Sequence, residues 1–112
     1  GEGAPHNDYE AVKWFNKAAH QGNAEAQFNL GFKFFFGEGV SQNFDEAFKW
    51  YQKAADQGQI DAELWLGDIY QDGVFVTQDV AEAEKWYSKA AEKGSEKAQS
   101  KLDAMKSKNP DL

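Results

Sequence analysis

Three stretches decide the fold: Ala11-Val12-Lys13-Trp14-Phe15-Asn16-Lys17-Ala18-Ala19, Ala47-Phe48-Lys49-Trp50-Tyr51-Gln52-Lys53-Ala54-Ala55 and Ala83-Glu84-Lys85-Trp86-Tyr87-Ser88-Lys89-Ala90-Ala91. Trp14, Trp50 and Trp86 stand 36 residues apart, and their surroundings repeat with them. A fixed period of this length marks a stack of like units, each too small to bury its apolar face alone. Such stacks build surfaces for partners more readily than pockets for chemistry.

Each unit reads as two helices. Ala11, Trp14, Phe15 and Ala18 fall at i, i+3, i+4 and i+7, one apolar face of a helix. The pattern predicts Trp-bearing helices over 8–21, 44–57 and 80–93. The tryptophans read as packing residues. The lysines read as a solvated back, paired at i, i+3 as Glu10–Lys13, Glu46–Lys49 and Glu82–Lys85. Asn7, Asn43 and Asp79 each precede a Glu by three residues, as in a capping box. Gly22, Gly58 and Gly94 follow the last turns, where a left-handed residue is wanted.

The second helices are expected over 24–36, 60–72 and 95–107. Ala26, Leu30 and Phe34 recur as Ala62, Leu66 and Tyr70. Gly31 and Gly67 follow the leucines, and a glycine inside a helix costs about 1 kcal/mol against Ala. Close approach of a neighbouring helix is the expected compensation, with the alanine pairs 18/19, 54/55 and 90/91 as its other side. The helix pairs thus span 8–36, 44–72 and 80–107. The loop Gly37-Glu38-Gly39-Val40-Ser41-Gln42 fits neither the P-loop nor the dinucleotide pattern and reads as loop closure. Its counterpart, Gly73-Val74-Phe75-Val76-Thr77-Gln78, puts Phe75 at the second glycine.

Composition narrows the function. Aromatics reach 15% of the 112 residues, mostly at repeated positions, so the chain can build a packed interior. The net charge is −7 and every basic residue is Lys. Without Arg, the usual bidentate reader of phosphate and guanine, the balance argues against nucleic acid and anionic membranes and for a partner with a basic face. Cysteine is absent, which excludes disulfides and thiolate metal sites. No apolar run approaches the roughly 18 residues of a membrane-spanning helix.

The run Ala24-Glu25-Ala26-Gln27 with Leu30-Gly31 and Phe34, then Gly37-Glu38-Gly39-Val40, then Asn43-Phe44-Asp45-Glu46-Ala47 with Lys49-Trp50-Tyr51 and Lys53-Ala54-Ala55, resembles the Sel1-like repeat family, longer-looped relatives of tetratricopeptide repeats. The resemblance covers nearly the whole chain. It implies an all-α, right-handed α-solenoid of about three helix-pair repeats, roughly six helices. It also implies a non-catalytic scaffold or adaptor, often in bacterial envelope, secretion or host-interaction systems, with no catalytic residues or cofactor to carry over. The compartment stays open among envelope, secreted and cytoplasmic.

The ends differ. Gly1-Glu2-Gly3-Ala4-Pro5-His6-Asn7 aligns with Gly37-Glu38-Gly39-Val40-Ser41-Gln42-Asn43 at the same offset. The expectation is a single repeat domain over 1–112 that forms the C-terminal part of a longer array. The last unit turns polar: Leu64 gives way to Ser100, Trp65 to Lys101 and Gly67 to Asp103, as a terminal cap requires. Pro110 stops the helix.

A binding face is expected where the units disagree. Phe28, Phe32, Phe35 and Phe36 form a second apolar arc on their helix, opposite Ala26, Leu30 and Phe34. The matching region of the next unit carries Asp61, Leu64, Asp68, Gln71 and Asp72, and that of the last carries Lys97, Ser100, Ala104 and Ser107. By analogy with tetratricopeptide repeats these line a concave groove. A peptide or protein segment would anchor apolar side chains on the phenylalanines and pair Lys or Arg with Asp68 and Asp72. Two other uses of the cluster stay open: packing against a preceding repeat, or a homodimer. An inhibitor or immunity-type protein blocking a basic enzyme is the alternative function. Enzyme readings find less support: no Ser-x-x-Lys exists for a β-lactamase-like site, His6 and His20 are too few for zinc, and the carboxylates recur as caps and surface charges.

Overall fold

A computed structural model describes residues 7–108 and contains six helices of 13 residues each: α1 (Asp8–His20), α2 (Ala24–Phe36), α3 (Phe44–Asp56), α4 (Ile60–Asp72), α5 (Val80–Glu92) and α6 (Glu96–Lys108). The helices follow the expected bounds to within a residue. Residues 1–6 of the opening loop, with His6, and the stop at Pro110 lie outside the described residues.

The helix ends are written in side chains. Asn7, Asn43 and Asp79 accept hydrogen bonds from the backbone N–H of Glu10, Glu46 and Glu82, at 2.8, 3.0 and 3.0 Å. Asn23 and Ser95 cap α2 and α6 in the same way, onto Ala26 and Ala98. Each cap satisfies an N–H that the first turn leaves without a partner. Gly22, Gly58 and Gly94 take φ of 93°, 86° and 95°, the left-handed exit the sequence calls for. The loop after α2 closes on itself: Asn43 N–H donates to Phe34 O, and Gln42 Nε2 to Phe35 O. The loop after α4 repeats both bonds with Asp79 and Gln78. Phe75 takes φ 49° where its counterpart is Gly39, a left-handed conformation that an L side chain adopts at a cost of roughly 1–2 kcal/mol.

Two compact units divide the chain, Gly1–Gln59 and Ile60–Leu112. In the first, α2 packs on α1 and α3 packs on α2. Its core joins Ala19, Ala26, Leu30 and Trp50, flanked by Val12, Phe15, Ala18 and Phe34. Lys33, on α2, pairs with Asp8 at 2.7 Å and with Glu38 at 3.4 Å; the bond to Asp8, opposed by burial, raises its pKa. In the second unit α5 packs on α4 and α6 on α5, around Ala83, Tyr87, Ala90, Ala98 and Met105.

The mid-helix glycines are explained differently from the expectation. Their close neighbour is a tyrosine ring, not an alanine pair. A Cβ on Gly31 would stand 2.8 Å from Tyr51 Cδ1, and one on Gly67 would stand 2.4 Å from Tyr87 Cε1. Tyr51 and Tyr87 therefore fit only because Gly31 and Gly67 have no side chain. The tryptophan reading also needs correction. Trp50 and Trp86 are buried at 4% exposure, but Trp14 is 55% exposed. Trp50 seats on Ala19, Ala26 and Leu30 of the helix pair before it, and no described helix precedes α1 to do this for Trp14. Two of the three expected surface pairs form, Glu46–Lys49 and Glu82–Lys85, whereas Lys13 lies over the Tyr9 ring at 4.6 Å.

One polar contact changes chemistry between the units. In the first, Gln57 Nε2 donates to Gln27 Oε1 at 2.9 Å and to Gly22 O, and buried Gln27 donates on to Ala19 O. In the second, the same positions hold Lys93 and Glu63, whose charged groups meet at 2.5 Å. Glu63 is 1% exposed, so its charge depends on that ammonium.

Unfolding in urea reports on these contacts. Gly67→Ala should destabilise by about 1–2 kcal/mol, because overpacking outweighs the gain in helix propensity. Lys93→Ala should cost roughly 2–3 kcal/mol, less than loss of a fully buried partner, because the Lys93 side chain is 38% exposed. Glu63→Gln with Lys93→Gln, which copies Gln27 and Gln57, should recover most of that loss. Burial raises the pKa of Tyr51; burial, then the hydrogen bond to Asp68, raises that of Tyr87. The unfolded phenols ionise near pH 10 while the folded ones hold their protons, so the urea midpoint should fall above that pH. Tyr51→Phe and Tyr87→Phe should each flatten the fall.

Candidate interaction surfaces

The four phenylalanines singled out on α2 form one patch. Phe28 and Phe32 have ring centroids 6.5 Å apart, Phe32 and Phe36 4.6 Å, and Phe35 and Phe36 4.9 Å. A 100° step per residue puts all four on one side, while Phe34 goes to the core with Leu30. Two rings of α3 extend the patch. Phe44 lies 5.3 Å from Phe35, and Tyr51 lies 5.6 Å from Phe28 and 6.4 Å from Phe35. Part of the arc therefore serves helix packing: Phe28, Phe32 and Phe35 are half-buried, and Phe36 is 46% exposed. Sequence reasoning left out Phe44 and Tyr51. Tyr51 is fully buried, so it backs the patch from beneath, while Phe44 extends its exposed rim.

In the second unit Asp61, Leu64 and Asp68 come together. They line a cleft of about 260 Å³ with Trp65, Lys97 and Lys101. Asp68 Oδ1 accepts a hydrogen bond from the Tyr87 hydroxyl at 2.5 Å and pairs with Lys101 at 3.1 Å. The same hydroxyl oxygen lies 2.8 Å from the Gln71 side-chain amide, which joins Gln71 to the group. Asp72 is exposed at the end of α4.

This arrangement alters the expected role of Asp68. Oδ1 of Asp68 is held by a phenol and an ammonium, so an incoming Lys or Arg would meet a carboxylate whose charge is already partly neutralised. Asp61 and Asp72, both exposed, are the better-placed acids for a basic partner. Lys101 was the residue to watch in the sequence: it stands where the unit before has Trp65.

The described residues contain no group of three or more His, Cys, Asp or Glu able to hold a metal ion. None of the described helices is long and apolar enough to cross a membrane. The surface offers aromatic and carboxylate contacts on helix faces.

Comparison with known proteins agrees with this architecture. Among curated proteins no sequence matches the chain. Two solved structures match it closely. One is c5321, described as a protective antigen present in uropathogenic Escherichia coli strains and displaying an SLR fold. It is 42% identical, with a TM-score of 0.89 over 96% of this chain and 23% of that one. The other is a Sel1 repeat protein from Oxalobacter formigenes, 41% identical, with a TM-score of 0.85 over 89% of this chain and 41% of that one. The chain thus spans less than half the length of either protein. The fold is an all-α solenoid of three helix-pair repeats. The Sel1 repeat profile matches residues 1–23, 24–59 and 60–95, so the chain belongs to the Sel1 repeat family.

Proposed function

We propose that this chain is a protein-interaction scaffold that binds peptide or protein segments through the aromatic face of α2 in the first unit and, separately, through the acidic face of α4 in the second. Sel1 repeat proteins are generally interaction scaffolds and typically non-catalytic. The observation that carries the reading is the α2 patch. Phe28, Phe32, Phe35 and Phe36 stay on a helix whose core-facing side is already filled by Ala26 and Leu30. A half-buried cluster of rings on rigid helices is a ready anchor for an apolar side chain, since little side-chain entropy is left to lose on binding. On α4, Leu64 and Trp65 supply apolar contact beside Asp61 and Asp68, and Gln71 and Asp72 continue the polar face. The acidic balance of the chain favours a segment carrying Lys or Arg and adds to its encounter rate at low salt.

Display selection of peptides against the chain tests the reading. The enriched peptides should carry an aromatic or large aliphatic residue for the α2 face, or Lys or Arg for the α4 face. Phe32→Ala should weaken a selected peptide at least tenfold, about 1.4 kcal/mol, by removing the anchor. Asp61→Lys should weaken a peptide bearing Lys or Arg by a similar factor and reduce its salt dependence, without touching the Asp68–Tyr87 bond. Affinity unchanged by both variants would overturn the assignment of the surface.

A further inference from the structure

Of the four tryptophans in the chain, Trp65 alone stands off the 36-residue beat. It falls on α4, where the first unit has Asn29 and the last has Lys101. Repeat packing therefore does not account for it. Trp65 is half-buried and lines the cleft of about 260 Å³ in the second unit, with Leu64 beside it. α4 also supplies Asp61 and Asp68 to this cleft, and α6 supplies Lys97 and Lys101. One wall is thus acidic and apolar, and the wall from α6 is basic.

The four charges are not equivalent. Asp68 and Lys101 meet at 3.1 Å and answer each other. Asp61 and Lys97 are exposed, and among the described residues neither side chain has an ion-pair or hydrogen-bond partner. They line the same cleft without pairing, so a ligand between them can offer each its complement. Lys97 also stands in the first turn of α6, where the helix dipole disfavours a cation; the first turns of α1 to α5 carry acids. An anion beside Lys97 relieves that mismatch. The size of the cleft selects the form of the ligand. A helix about 10–12 Å across does not fit, whereas an extended segment fits because it sends single side chains in. Successive side chains of such a segment point to opposite walls. Residues i and i+2, roughly 6.7 Å apart, then face α4 together. That matches the roughly 5 Å along α4 from Asp61 to Leu64 and Trp65. Residue i+1 faces α6.

We propose that this cleft binds an extended segment of another protein in which an Asp or Glu stands between a Lys or Arg and a large apolar residue, a site that rests on the reading of α4 as a binding face. The basic side chain pairs with Asp61, the apolar one packs on Leu64 and Trp65, and the acid between them pairs with Lys97. The α6 wall thus adds a requirement that α4 alone does not make: a segment with Lys or Arg but no acid leaves Lys97 unanswered.

Two end-blocked peptides, Lys-Glu-Leu and the reversed Leu-Glu-Lys between glycines, test the site by NMR titration of the isotope-labelled chain. The indole N–H of Trp65 should shift with one order or the other, while those of Trp14, Trp50 and Trp86 stay in place. Replacing the peptide's Glu by Gln should weaken binding about threefold, the scale of a solvent-exposed ion pair, and replacing its Lys by Gln should do the same. Lys97→Gln should erase the first difference and keep the second; Asp61→Asn should keep the first and erase the second. Both replacements lie at exposed positions, so the fold is kept. A preference for Glu over Gln that survives Lys97→Gln overturns the site, as does a Trp65 indole that neither peptide shifts. Free leucine binding as tightly as the better peptide gives the cleft to a small zwitterion and also overturns it. A gain from the peptide's Lys through Asp61, with none from its Glu, overturns the α6 half and leaves α4 as a face for basic segments. Binding indifferent to Asp61→Asn overturns both.

Discussion

A tyrosine ring lying on a glycine backbone sets how closely the helices of each unit approach. Tyr51 lies on Gly31 and Tyr87 on Gly67, and both contacts need the glycine to have no side chain. A helix accepts an interior glycine at a cost of about 1 kcal/mol, so the contact must return more than that in packing. The other contacts of each interface are then drawn into register. Trp50 reaches Leu30, and Gln57 reaches Gln27 across the same pair of helices. On α5 the buried Trp86 and the Lys93–Glu63 pair occupy the same positions. The tryptophans announce the repeat, but the tyrosines beside Trp50 and Trp86 decide the spacing.

Almost all of the local structure was legible in the sequence, and for a physical reason. Helix starts are fixed by side chains that bond a defined N–H, such as Asn43 on Glu46, and helix ends by glycines with positive φ. Both signals are local, so they survive without knowledge of the tertiary fold. The paired alanines misled because the argument about Gly31 supplied only half of a contact. Spacing along one helix says that something must come close, but it does not say what. Trp14 misled for a related reason: its residue type and spacing are those of Trp50, yet burial depends on what lies outside its own helix.

The candidate surface was only partly legible, because it lies where the units differ and the repeat gives no second copy to compare. The α2 phenylalanines were found as an arc, but the division of labour inside the arc depends on α3. Phe35 leans on Phe44 and Tyr51, and Phe36 is left the most exposed. On the acidic side a count of carboxylates could not show that Asp68 is held by Tyr87 and Lys101. Charge on a sequence is an inventory; availability is a property of the neighbours. A partner cation gains most at a carboxylate still surrounded by water on one side and by apolar surface on the other, and Asp61 beside Leu64 and Trp65 meets that condition better than Asp68 does.

The exchange of Gln27–Gln57 for Glu63–Lys93 shows how a repeat tolerates change. The backbone frame of the two interfaces is the same, so any pair that spans the distance and satisfies its own hydrogen bonds can occupy it. The neutral pair costs little to desolvate and is indifferent to salt. The charged pair is bound to its partner choice, because among the described residues Lys93 is the cation bonded to buried Glu63. The interface on α4 therefore demands a cation at the helix end it receives, whereas the interface on α2 accepts an amide. Such a difference makes two nearly identical repeats non-interchangeable: a helix ending in Gln can dock on α2 at full strength, but on α4 it would leave a carboxylate without its charge partner. Order along a stack of like units can be written in this way, with one buried polar position per interface and no change in the apolar contacts around it.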